Sequence, residues 1–282
     1  MGNADVRRSP FAGTWYPGDP SELESAVSRL LASAPESEPR GRLVALISPH
    51  AGLRYSGPVA AAGYRLLERQ AFASVLLLGP SHRVVFDALA TSSEGAFATP
   101  FGLAAIDSEL ARTFERATPR ARAMPEAHRG EHSLEMQLPF VQHLLPEARI
   151  LPVMMGAQSP RNIEAAASAM VRAVTASTYP VLLVASSDLS HYESRDRARV
   201  LDSEVLDRIE RFDPRGLAAL FDEEPGHACG GGPMIAVMTA ARELGASSAR
   251  VLAYGDSGDV TGETDAVVGY VSAALYDPRG DA

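Results

Sequence analysis

Apolar positions along this chain alternate between two kinds of run. Val44–Ile47, Ser74–Leu78, Arg149–Met154 and Val181–Ala185 are short, continuous, rich in Val, Ile and Leu, and cut off by Pro, Gly or Ser. Such runs read as strands buried on both faces. Between them the apolar residues recur at helical spacing. Leu23, Val27, Leu30 and Leu31 form one face behind a capping Asp19-Pro20 pair. Pro58–Gln70, Ile106–Arg116, Asn162–Thr175, Arg195–Phe212 and Met234–Leu244 read as further helices, and Arg250–Tyr254 and Ala266–Ala273 as closing strands. Leu134, Leu138, Val141 and Leu145 predict a helix kinked at Pro139. Residues 87–103 break into short β-prone pieces, suggesting a hairpin beside the main sheet. Strand and helix alternating without a long linker predict one α/β domain over residues 1–282, its central sheet mainly parallel, flanked by helices and built from right-handed crossovers.

Composition narrows the partners. With 282 residues, 46% hydrophobic and 22% charged, the chain has material for a large core, and its net charge of −9 with no basic run excludes a nucleic-acid surface. No apolar stretch reaches the ~20 residues of a membrane span, and the first residues lack the pattern of a signal peptide. A cytoplasmic protein that meets a small-molecule substrate or a peptide, with no membrane partner, is the expectation. The single cysteine, Cys229, has no disulfide partner in the chain.

The chemistry gathers where strands stop. His50 follows the first apolar run, His82 the second, and Asp188 with His191 the Val181 run. In open α/β sheets the crevice beyond the strands' carboxyl ends is where ligands bind, so three of the seven histidines stand at equivalent junctions. Gly226-His-Ala-Cys-Gly-Gly-Gly-Pro233 adds His227 and Cys229 ahead of a helix, its glycines suited to close approach of a ligand and its helix start to a lowered thiol pKa. Glu131 and His132 are neighbouring candidates. Imidazole and thiolate together suit iron, copper or zinc. His128 and His132 are spaced i, i+4, but Gly130 and Pro125 argue against a helical pair there. The non-metal alternative is a serine hydrolase using Ser81 or Ser187, although no G-x-S-x-G elbow is present. No phosphate-binding glycine loop follows any strand. The segment holding Trp15 reads as packing across the sheet edge.

Six motifs in order carry a resemblance: Ala12-Gly-Thr-Trp-Tyr-Pro17, Ser48-Pro-His-Ala-Gly52, Gly79-Pro-Ser-His82, Glu131-His-Ser-Leu-Glu-Met-Gln-Leu-Pro139, Ser187-Asp-Leu-Ser-His191 and Ala228-Cys-Gly-Gly-Gly-Pro233. On these the chain resembles the Memo family, mediators of ErbB2-driven cell motility, whose bacterial and archaeal members are called AmmeMemoRadiSam system protein B. That family is similar in fold to class III extradiol dioxygenases. The resemblance implies His50, His82 and Cys229 as metal ligands, with Cys229 where the dioxygenases have glutamate. It also implies His191 as acid/base, oriented by Asp188, in the same pocket. Fe(II) is the implied cofactor, with Cu or Zn as alternatives, and a radical-SAM pathway protein the implied partner. Two functions follow: a metal-dependent oxidoreductase acting on a small substrate, or a metal-handling or peptide-binding module without turnover.

Overall fold

The computed structural model describes residues 6–38 and 40–280. Its strands are β1 Val6–Arg7, β2 Arg42–Ser48, β3 Ser74–Pro80, β4 Leu89–Thr91, β5 Ala96–Thr99, β6 Gly102–Ala105, β7 Ala121–Ala123, β8 Arg149–Met155, β9 Val181–Ser186, β10 His191–Glu193, β11 Ser248–Asp256 and β12 Val267–Asp277. Nine of these form one sheet in the order β10-β12-β2-β9-β3-β8-β4-β7, with β11 also on β12. The four central strands, β2, β9, β3 and β8, are mutually parallel. The flanks reverse, β12 running antiparallel to β2 and β4 to β8, so the sheet is mixed. Parallel pairing in the middle aims the ends of β2, β3 and β9 at one edge.

Side-chain alternation explains the double burial of the central strands. Leu76 and Leu78 of β3 enter one core while Val75 and Leu77 enter the other; Leu183 and Leu182 of β9 divide in the same way. The helices are α1 Pro20–Ser33, α2 Leu53–Tyr64, α3 Ser108–Ala117, α4 Pro125–His128, α5 Leu138–Leu144, α6 Pro160–Ala176, α7 Arg195–Glu210, α8 Pro214–Glu223, α9 Gly231–Glu243 and α10 Gly258–Thr261. Those of the first core include α3, α6 and α9, through Phe114, Met170 and Met234; α1, α2 and α5 close the second through Leu23, Tyr64 and Leu138.

Several elements depart from expectation. α2 starts five residues before Pro58 and keeps that proline inside, its buried face from Leu53 to Tyr64 outweighing one lost helical hydrogen bond. Pro139 does not kink a longer helix. A 3-10 turn, Glu135–Gln137, precedes α5, and the proline sits in α5's first turn, where its missing N–H costs nothing. α8 was not anticipated, although Asp213-Pro214 repeats the capping signal of Asp19-Pro20. β4 joins the main sheet, while β5 and β6 pair as a hairpin in a separate sheet with β1. No helix among the described residues is long and apolar enough to cross a membrane.

Candidate metal centre

Beyond the ends of β2 and β3 the rings of His50 and His82 meet edge-to-face, 5.2 Å between centroids. A third ring, that of His132, stacks on His82 at 4.6 Å and stands 5.3 Å from His50. One ligand nitrogen from each of the three lies within 4.8 Å of the others. His132 arrives from the irregular segment between α4 and the 3-10 turn, whereas His128 turns away to the edge of Phe97. The i, i+4 pair is thus split, as Gly130 and Pro125 suggest.

Hydrogen bonds behind the rings fix where the protons sit. His50 Nδ1 is 2.8 Å from Ser186 Oγ. That hydroxyl donates to the Ser133 carbonyl and accepts from Gln137 Nε2, so it can only accept from His50. The proton is therefore on Nδ1, and Nε2 keeps its lone pair. His82 Nδ1 donates to Glu131 Oε1 at 2.8 Å, again freeing Nε2. His191 Nδ1 donates to the Leu189 carbonyl at 2.7 Å with the same result. Burial, reinforced by the neighbouring imidazoles, holds the His50 pKa well below its ordinary value, and burial brings that of His132 to about 4. Both rings are neutral at physiological pH. Burial works against ionisation of Glu131, but the His82 ring and backbone N–H and the Ser133 N–H outweigh it and hold the carboxyl at about 2.

Cys229 Sγ lies 3.2 Å from His50 Nε2 and accepts from the Asp188 N–H at 3.3 Å. It stands outside the three-histidine group. The expected lowering of its pKa is reversed: desolvation, then the Asp188 carboxylate, push the thiol up. The glycines after it also serve packing rather than a ligand. A Cβ on Gly230 would meet the Ser186 carbonyl at 2.6 Å, and Gly230 N–H donates to Ser187 Oγ while Gly232 N–H donates to Gln158.

Asp188 does not orient His191, whose Nδ1 is taken by Leu189. Its Oδ1 instead accepts from the backbone N–H of His50 at 2.7 Å and of Ala51 at 3.3 Å. Burial outweighs both bonds and raises its pKa to about 7. His227 faces Glu204 and the Glu224 carbonyl, apart from the cluster. Neither Ser81 nor Ser187 addresses an imidazole; each hydroxyl donates to a backbone carbonyl.

A cavity of about 780 Å³ opens over the cluster, lined by His50, His82, His132, Asp188 and His191. Trp15 lines it too, tilted 4.6 Å over His132, so the opening segment reaches the site itself rather than only the sheet edge. Arg54 and Arg83 lie in its wall with Tyr55 and Tyr192. Tyr192, 79% exposed, holds a left-handed φ of 61° at the β10 bulge, a conformation a bulky side chain avoids unless its surroundings impose it.

A mixed α/β sheet with converging imidazoles past its parallel strands defines the class: an α/β protein with a candidate metal centre. A family model described as "Memo-like protein" matches residues 7–274, and the chain belongs to this family. A MEMO1 family protein of Methanopyrus kandleri is 36% identical, the match spanning 98% of this chain and 100% of the relative. Another, of Methanothermobacter thermautotrophicus, is 34% identical over 94% and 98%. The crystal structure of an uncharacterized protein from Escherichia coli K12 matches with a TM-score of 0.56 at 12% identity, covering 83% of this chain and all of that one, which supports the fold alone.

Proposed function

We propose that this protein holds one transition-metal ion at His50 and His82 and uses it for redox or oxygen chemistry on a small molecule in the adjoining cavity. What carries the reading is the convergence of imidazoles whose protons are held on the far side of the ring, leaving Nε2 of His50 and His82 free to bind. A carboxylate or hydroxyl behind a metal-binding histidine is the usual supporting arrangement.

The third ligand in this reading is Cys229. With metal–nitrogen bonds of about 2.0 to 2.1 Å and metal–sulphur bonds of about 2.3 Å, two such ligands stand about 3.1 Å apart at a right angle and about 3.6 Å at the tetrahedral angle. The 3.2 Å between His50 Nε2 and Cys229 Sγ falls in that interval. The compactness of the histidine group supports a second arrangement, with His132 in the third place. Fe(II) suits both sets; the thiolate set also takes Cu(I) or Zn(II). A bound ion would supply Lewis acidity and, for iron or copper, electron transfer.

The chain's residues supply the rest. His191 presents an unprotonated Nε2 toward the cavity as a proton acceptor. Asp188, with a pKa of about 7, exchanges a proton near neutrality while its Oδ1 secures the His50 backbone. Trp15 covers one wall against water. A metal-handling role without turnover uses the same ligands. Anaerobic loading with Fe(II), elemental analysis and oxygen uptake against catechols and cell extract separates them: stoichiometric metal with substrate-dependent uptake supports the enzyme, metal without uptake the handling role, and no metal bound refutes both.

A further inference from the structure

A second cavity, about 290 Å³, is lined in part by α4 and Arg129, just before the segment that carries His132. Its wall is Val6 and Arg7 of β1 with the following Arg8, Ala96 and Phe97 from β5, and Pro125, His128 and Arg129 around α4, with Ser92 as well. Among the described residues, three guanidinium groups and an imidazole line it and no carboxylate does, in a chain whose net charge is −9.

The four cationic or polar groups differ in how far they are committed. Arg7 is spoken for: it pairs with Glu135, donates to the His128 and Glu131 carbonyls, and lies over the Phe97 ring. Arg8 and Arg129 are exposed and have no ion pair among the described residues. His128 is 2% exposed, and neither ring nitrogen completes a hydrogen bond, although the backbone of Ala90 and Thr91 is near. A buried polar ring whose hydrogen bonds are incomplete costs free energy that a better-placed acceptor would recover.

We propose that this cavity binds a small phosphate-type oxyanion, held by Arg8 and Arg129 at its mouth and by the His128 ring from within. Guanidinium forks match the oxygen spacing of phosphate and bind it with paired, charge-assisted hydrogen bonds. A volume of about 290 Å³, at the small end of ligand pockets, accommodates a phosphate group. The site shares no lining residue with the cavity over the histidines, and Arg7 in its wall holds the Glu131 backbone and Glu135.

Calorimetric titration of the full-length, metal-free protein with sodium phosphate, against sodium chloride at matched ionic strength, tests the site without reference to the metal. One saturable phosphate site is expected, with a shifted His128 ring signal in ¹⁵N-histidine NMR. Arg8→Gln combined with Arg129→Gln, both exposed positions, should weaken binding about tenfold or more while leaving Tm unchanged. His128→Asn, scored by the same titration, should weaken it as well. Methyl phosphate binding more tightly than inorganic phosphate would assign a phosphomonoester as the ligand, and the reverse order free phosphate. No saturable binding above chloride, an unmoved His128 signal, or undiminished affinity in the double variant would overturn the site.

Discussion

Glu131 grips His82 twice, accepting from its ring Nδ1 at 2.8 Å on Oε1 and from its backbone N–H at 2.6 Å on Oε2. The same Oε1 accepts from the backbone N–H groups of His132 and Ser133. One buried carboxylate therefore sets the tautomer of a ring just past β3 and anchors the segment that delivers another. Glu131→Gln keeps the shape and loses the charge. Competition titration with a chromogenic chelator should show metal affinity about 10 to 100-fold lower, the usual effect of removing such a support. Unchanged affinity would mean that His82 is held by packing alone.

The depressed pKa of Glu131 also fixes a pH dependence. Because the folded-state value of about 2 lies below the ordinary 4.5, ionisation stabilises the fold fully above pH 4.5, and that contribution fades as pH falls toward 2. Its size is roughly 3 kcal/mol. Denaturant titrations between pH 2.5 and 6 should give a flatter stability profile for Glu131→Gln than for the wild type, and parallel profiles would contradict the assignment.

Asp188 behaves with the opposite sign. Its folded-state pKa of about 7 lies above the ordinary 3.8, so the buried carboxyl favours its protonated form. Ionising it costs stability progressively from about pH 4 to pH 7 and no further above that. Asp188→Asn keeps an oxygen for the His50 and Ala51 N–H groups. In EDTA, the stability of this variant relative to wild type should rise by a few kcal/mol between pH 4 and pH 8. A gap independent of pH would show that the carboxyl is not desolvated.

Cys229 separates the two ligand sets. Its raised thiol pKa means that the metal-free protein should react slowly with iodoacetamide at pH 7, and faster as pH rises. Metal uptake through sulphur should release a proton. Replacing the thiol by a carboxylate, Cys229→Glu, should retain Fe(II) and lose much of the Cu(I) affinity. Copper binding unaltered by that change would pass the third position to His132.

His191→Ala should leave metal content intact and lower any turnover about 10² to 10⁴-fold, the usual contribution of a positioned acid/base. Loss of metal instead would make His191 a ligand.

The chain alone determined the strands that end at His50, His82 and Asp188, because uninterrupted Val, Ile and Leu runs have one economical burial, inside a sheet covered on both faces. Its pattern also placed the starts of α1, α3 and α7 to within two residues, since a capping side chain acts within the first turn. Local signals could not say that Pro139 begins a helix rather than kinking one, because the choice depends on what the preceding turn packs against. Nor could they place His132 or Trp15 at the centre. Each sits in irregular backbone, where no period reports direction, and Trp15, tilted over His132, is tied to the start of α2 by the Leu53 N–H donating to its carbonyl. The thiol's pKa is illegible for a related reason: a helix start is visible in the sequence, whereas the burial that raises the pKa comes from tertiary packing and the Asp188 carboxylate from 41 positions away. Tautomers were beyond reach altogether, since the proton on His50 is decided by the commitments of Ser186, Ser133 and Gln137, which only tertiary packing brings together.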